Sequence, residues 1–208
     1  MLTPETAVPP YADGEHWLRN ELLDKLVSQP VLPADLAQLL VAIHQDTNQS
    51  PVMRDYAIQH VTPVYGQENG TEQAMLQATL WQTTQESDSG IAGTALLALQ
   101  QLAQTDAGLE RDRIGETALK LAGDDHASEL ARITAIQVCG RLTVTQAGPE
   151  ALALAQDASQ STPLRLAAIA TLGELGGAQV KPVLEQIAAG SEPRLKPAAL
   201  VALQHLGQ

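Results

Sequence analysis

Apolar residues recur along this chain at helical spacing, and the stripes they form are themselves repeated. Stacking the sequence on an alanine followed by Ile or Leu aligns five segments: MRDYAIQHVTPV, IAGTALLALQQL, ARITAIQVCGRL, LRLAAIATLGEL and LKPAALVALQHL. The shared alanines are Ala57, Ala95, Ala135, Ala168 and Ala199, in steps of 38, 40, 33 and 31 residues. One residue on stand Ile58, Leu96, Ile136, Ile169 and Leu200. Four on stand Val61, Leu99, Cys139, Leu172 and Leu203, and seven on stand Val64, Leu102, Leu142, Leu175 and Leu206. Columns three apart fall on one helical stripe, which faces inward, and the alanine beside it lets a neighbouring helix come close.

Between these segments lie second periodic stretches at 71–84, 111–121, 149–157 and 178–189, each bounded by Gly, Pro, Ser or Asp. A less regular pair, 15–27 and 34–44, precedes them. The pattern predicts about eleven helices in antiparallel pairs and no strand. Such pairs bury their faces only by stacking on neighbours, so the expected fold is all-α, a curved α-solenoid. One domain would run from 15 to 208, with an irregular pair at 15–47 and regular repeats over 49–207. A proline-rich arm or linker, 1–14, precedes it.

A further column concerns charge. Three residues before the shared alanine sit Arg54, Ala92, Arg132, Arg165 and Lys196, and eight before the arginines sit Asp46, Asp124 and Asp157. The alanine repeat has Thr84 in the acid position and the lysine repeat has Ala188. Acid and arginine are therefore present together or absent together. That predicts a structural ladder, with a carboxylate in each inter-repeat turn meeting a guanidinium on the next helix or sharing a turn network with it, the guanidinium being suited to hold a carboxylate or turn carbonyls. The competing reading, an exposed arginine row for anions, fits less well because matched acids leave little of the guanidinium for a ligand.

The pattern D-x7-R-x2-A-[IL], followed by apolar residues at intervals of three and a Gly or polar turn, resembles HEAT repeats. DASQSTPLRLAAIATLGELGG in particular is similar to the bacterial, phycobilisome-lyase-type HEAT-like variety. The resemblance covers 46–207, is best over 124–177, and weakens over 89–102 and before 34. It implies an α-α superhelix and says little about activity, since such repeats serve as scaffolds, chromophore lyases, DNA-glycosylase relatives and metal hydroxylases. The hydroxylase branch requires repeated His-Glu dipeptides. Here the histidines are followed by Trp17, Gln45, Val61, Ala127 and Leu206, so the dipeptide never occurs.

Composition narrows the choice further. The chain of 208 residues is 44% apolar but 2% aromatic, without phenylalanine, which suits closely packed helices. Twelve Lys and Arg face 24 Asp and Glu, a net charge of −12. A field of that sign disfavours nucleic acid and anionic lipid, so no nucleic-acid partner and no membrane insertion are expected. No apolar run is long enough to span a bilayer. Met1 directly before the arm leaves two expectations for location: cytoplasmic if it is the native start, periplasmic or membrane-anchored if an upstream signal was removed.

Candidate chemistry is sparse. Cys139 is the single cysteine and occupies the buried stripe, which excludes an intrachain disulfide and disfavours a thiol nucleophile. The loop GDDHASE gathers Asp124, Asp125, His126 and Glu129, but Asp124 belongs to the ladder, and Asp125 and Ser128 suit helix N-caps, so no metal is assigned. His44 and His60 fall in apolar stretches and read as core residues. GELGGA lacks the lysine and hydroxyl of a phosphate loop, and its glycines read as a helix end.

Surface remains. Tyr11, Trp17, Tyr56, Tyr65 and Trp81 lie in the first 81 residues, and no aromatic follows. They are filler for an irregular cap or, for Trp17, Tyr56, Tyr65 and Trp81, candidate partner-binding residues, with Trp81 on a second helix facing the concave side. The last segment has no pairing helix after it, leaving Leu195, Leu200 and Leu203 for self-association or for residues further on to cover. The repeat over 89–122 should be the weak link: it lacks the Asp–Arg pair, Gly90 and Gly93 enter its first helix, and Gly115 its second. The expected function is a non-enzymatic protein-interaction scaffold without a cofactor, its protein partner not identified by the sequence. A pigment (bilin) lyase or chaperone-like HEAT protein is the alternative left by the family resemblance.

Overall fold

The computed structural model describes residues 13–68 and 70–206, with side chains from Trp17 onwards. Of the arm expected at 1–14, residues 1–12, with Tyr11, lie outside the described residues and Asp13 and Gly14 begin the first helix; Asn69, Gly207 and Gln208 also lie outside. The described residues form twelve α-helices and no strand: α1 Asp13–Val27, α2 Leu36–Gln45, α3 Pro51–Gln59, α4 Val61–Tyr65, α5 Gly70–Thr83, α6 Ile91–Leu102, α7 Arg111–Ala122, α8 Glu129–Arg141, α9 Gly148–Gln156, α10 Thr162–Leu175, α11 Val180–Ala189 and α12 Leu195–Leu206. The fold class is an all-α solenoid of helix pairs.

Eleven helices become twelve because the first repeat helix is broken. The backbone N–H of His60 closes α3 on the carbonyl of Tyr56 at 3.1 Å, and α4 restarts at Val61. Pro63 explains the break, since its ring nitrogen has no proton for the carbonyl four residues back and its ring crowds that carbonyl.

The chain divides into two compact units between Thr79 and Leu80. In the N-terminal unit α2 lies against α3 and α4, and α1 against α3. Its core is Leu36, Ala37, Leu40 and Val41 of α2 with Met53, Ala57, Ile58, Val61, Val64 and Tyr65. Helix α1 adds Leu23 to that core, while its Trp17, Leu18 and Leu22 are each about 60% exposed. His44 and His60 are buried, and His60 Nε2 lies 2.9 Å from Asn20 Oδ1.

In the C-terminal unit the helices that carry the alanine column stack in order, α6 on α8, α8 on α10 and α10 on α12. Helix α7 lies against α6 and α8, α9 against α10, and α11 against α12. The alanine column is shut from solvent at Ala57, Ala95, Ala135, Ala168 and Ala199 alike, which is what close approach of helices requires. Gly93 serves the same end: a Cβ there would stand 3.0 Å from Thr134 and 3.2 Å from the Ala131 backbone on α8. Gly90 lies outside α6, at its N-cap, rather than inside the helix. At the end of α10, Gly176 (φ +68) and Gly177 (φ +118) take the left-handed backbone that turns the chain into α11.

The last pair is better covered than the sequence suggested. Leu195 and Ala199 of α12 are buried, Leu203 is half-buried, and Leu200 and Val201 remain about half exposed. The spacing predicts cover for α12 from a helix after it; α11, the helix before it, lies against α12 instead.

Candidate functional site

The charged ladder is a turn-building device with three parts, spaced four residues apart: Asp46–Ser50–Arg54, Asp124–Ser128–Arg132 and Asp157–Ser161–Arg165. Each aspartate ties its own turn, Oδ1 accepting from the backbone N–H two residues on: Asn48 at 3.0 Å, His126 at 2.9 Å and Ser159 at 2.9 Å. Each serine caps the following helix, its hydroxyl oxygen accepting from Met53, Ala131 and Leu164 N–H at 3.2, 3.2 and 3.3 Å. Each arginine Nε donates to the carbonyl ten residues back, on the last turn of the preceding helix: His44 at 2.6 Å, Ala122 at 3.1 Å and Ala155 at 3.2 Å.

Of the two arrangements the spacing allows, the shared turn network forms and direct Asp124–Arg132 and Asp157–Arg165 ion pairs do not. Arg132 Nη2 instead stands 3.1 Å from Asp125 and 3.9 Å from Glu150. Arg165 takes Glu192 in a two-pronged contact, Nη1 to Oε2 at 2.7 Å and Nη2 to Oε1 at 2.9 Å. The aspartates are already engaged by their turns. Hydrogen bonds from Ser159 and Gln160 hold the Asp157 carboxyl down to about 2, with the Arg165 charge a smaller contribution. Sequence reasoning named Ser128 as a cap, which it is, but missed that Ser50 and Ser161 complete a column with it, and missed Glu192. The serines were visible at constant spacing, whereas Glu192 belongs to the next inter-repeat loop, at a separation no local pattern reveals.

The candidate partner residues separate on inspection. Tyr65 is 3% exposed and belongs to the core, because it continues the Val61–Val64 stripe of α4, and it offers no surface. Tyr56 is half-buried on α3, and Trp17 is exposed on α1. Trp81 is partly exposed near the end of α5, and the guanidinium carbon of Arg113 on α7 stacks 3.9 Å from its ring centroid. These two residues, with Gln85, Glu116, Thr117 and Lys120, line a cleft of about 360 Å³. A second hollow of about 200 Å³ shares Gln85, Thr117 and Lys120 and extends to Thr84, Ser87 and Asp124. The indole Nε1 of Trp81 is buried without an acceptor.

Among the described residues no three His, Cys, Asp or Glu side chains gather as a metal site. Burial pushes the Cys139 thiol up to about 12, so it is not a thiolate near neutrality. Among the described residues no helix is long and apolar enough to cross a membrane.

The family model of HEAT repeats matches residues 116–204, which carry two of the three complete rungs, those at 124–132 and 157–165. No curated protein matches the chain. Among solved structures it is similar to human deoxyhypusine hydroxylase in complex with glycerol, at 19% identity and TM-score 0.40, over 94% of this chain and 81% of that one. It is similar also to a designed armadillo repeat protein, at 17% identity and TM-score 0.49, over 94% of both chains. At such identities no residue's role transfers from either.

Proposed function

We propose that this chain is a non-enzymatic protein-interaction module of the HEAT-like kind, acting through its solenoid surface. The observation that carries the reading is the α5–α7 cleft. There a tryptophan whose buried N–H has no acceptor among the described residues is covered by an arginine whose guanidinium likewise has none among them. Leaving a buried N–H unpaired costs roughly 1–3 kcal/mol, so this arrangement is poorly explained by stability alone. The exposed Trp17, Leu18 and Leu22 of α1 offer a second, apolar surface on the N-terminal unit.

The test is purification of the full chain from its native cells under mild conditions, with mass spectrometry and an absorbance spectrum of the product. The expected result is a defined protein at constant stoichiometry whose binding is reproduced by titration calorimetry with the purified components. A visible absorbance band from a bound pigment, with no protein partner, would overturn the reading in favour of a bilin-handling protein.

A further inference from the structure

We infer that the α5–α7 cleft recognises an extended acidic peptide segment carrying two carboxylates three residues apart. This deepens the interaction-module reading and rests on it. Of the cations that line inter-repeat clefts, Arg165 is satisfied internally: it holds the Ala155 carbonyl and both Glu192 oxygens in a cleft of about 460 Å³. The repeat with Ala92 and Thr84 in the ladder columns has no such arginine. The cations lining its cleft come from α7, and neither Arg113 nor Lys120 has an ion pair or a side-chain hydrogen bond among the described residues.

Arg113 is nevertheless held in place. Stacked on Trp81, its guanidinium is immobilised on one face while its N–H edge stays open, the geometry for two-pronged capture of a carboxylate. Lys120 lies seven residues along the same helix, which is about 10 Å at 1.5 Å per residue. An extended peptide advances about 3.3 Å per residue, so acids three positions apart span the same distance. Glu116, between the two cations, repels a central acid and favours a neutral residue there, while Gln85 and Thr117 offer polar contacts to a peptide backbone. The net charge of −12 opposes an acidic ligand at long range, but the local cations act inside the Debye length of roughly 8–10 Å at physiological salt. The α7 cations therefore select the ligand.

The experiment uses the full chain and fluorescein-labelled peptides, read by anisotropy at physiological ionic strength. The probe has two glutamates three residues apart with Ser and Ala elsewhere. Its counterparts carry adjacent glutamates, glutamines or lysines. Saturable binding of the spaced probe is expected, with the counterparts at least about fivefold weaker. Arg113→Gln should weaken it about tenfold and Lys120→Gln severalfold, while Lys181→Gln on α11 changes nothing. Trp81 is a positioning residue: Trp81→Phe keeps a ring under the guanidinium and affinity within about twofold, whereas Trp81→Leu loses severalfold and retains the spacing preference. Spacing-independent binding, full competition by inorganic phosphate at matched ionic strength, or unchanged affinity in Arg113→Gln would overturn the assignment. If a purified native partner binds Arg113→Gln as tightly as the parent, the cleft assignment falls while the module reading stands. If no partner exists, that reading falls first.

Discussion

Arg165→Ala is the sharpest perturbation of the ladder, because each contact of that side chain can be weighed separately. Arg165 is 7% exposed, and its Nε bond goes to the carbonyl of a fully buried Ala155. Removing a charged donor and leaving that carbonyl unpaired costs about 1–3 kcal/mol. The fork to Glu192 is worth less, since that carboxylate is 53% exposed and re-solvates when released; about 0.2–1 kcal/mol is its share. The expected loss is therefore about 1–4 kcal/mol, with the carbonyl contact dominant. Urea unfolding followed by far-UV circular dichroism measures it, with Arg165→Lys and Glu192→Gln alongside. Lysine keeps the charge but cannot hold the carbonyl and both carboxylate oxygens at once, so it should lose about half as much as alanine. Glu192→Gln should cost under about 1 kcal/mol. Were Glu192→Gln as damaging as Arg165→Ala, the ion pair rather than the carbonyl clamp would hold the turn, and the reasoning would fail.

Three other outcomes follow from named contacts. Gly93→Ala, usually stabilising within a helix, should here destabilise by about 1–2 kcal/mol, because its methyl meets the Ala131 backbone at 3.2 Å; a gain in urea midpoint would refute the close approach. Asp157→Asn should be less stable than the parent at neutral pH by an amount that is constant above the unfolded carboxyl's 3.8. That difference shrinks as the pH falls from there through about 2, since the folded value is depressed; a gap that persists at lower pH would contradict the turn's hydrogen bonds as its source. Segment-resolved hydrogen exchange should find α6 as protected as α10, because Ile91, Ala95, Leu96 and Leu99 are all buried and Gly93 is packed. Early exchange should be confined to the loop at 84–90, which lacks the arginine clamp; fast exchange throughout α6 would restore the weak-repeat expectation.

The helices were legible because their signal is local and redundant. Five alanines, each followed by an aliphatic residue, mark positions that are all fully buried, and no other secondary structure suits that period. The break at His60 was also legible in principle, since Pro63 stands in plain view, but a stripe that continues through Val61 and Val64 hides it. What spacing did not deliver was the identity of partners. The covariation of Asp with Arg along the chain is real, yet the two meet through a shared turn rather than a shared ion pair. A repeated column says that residues serve one local geometry; it does not say which atoms touch. Glu192 stands in the serine column, four residues before Lys196, and Asp125 in no column, and neither position announces the guanidinium prong it takes.

The candidate site was the least legible part for a related reason. Trp81 stood out by type, but Arg113 and Lys120 were two ordinary charges on an exposed helix face. Their significance comes from what lies beside them, an indole under one and, although Glu116 shares the cleft, no ion pair to either among the described residues. In the neighbouring rungs the turn chemistry uses up the arginine, so those clefts are electrostatically closed by the protein's own residues. In the repeat with Thr84 and Ala92 nothing in the ladder does so, and the cations of α7 face the cleft unneutralised. Read along the sequence, that repeat is a degenerate copy. Read in space, the same two substitutions leave a place where a foreign carboxylate supplies what Asp125, Glu150 and Glu192 supply elsewhere.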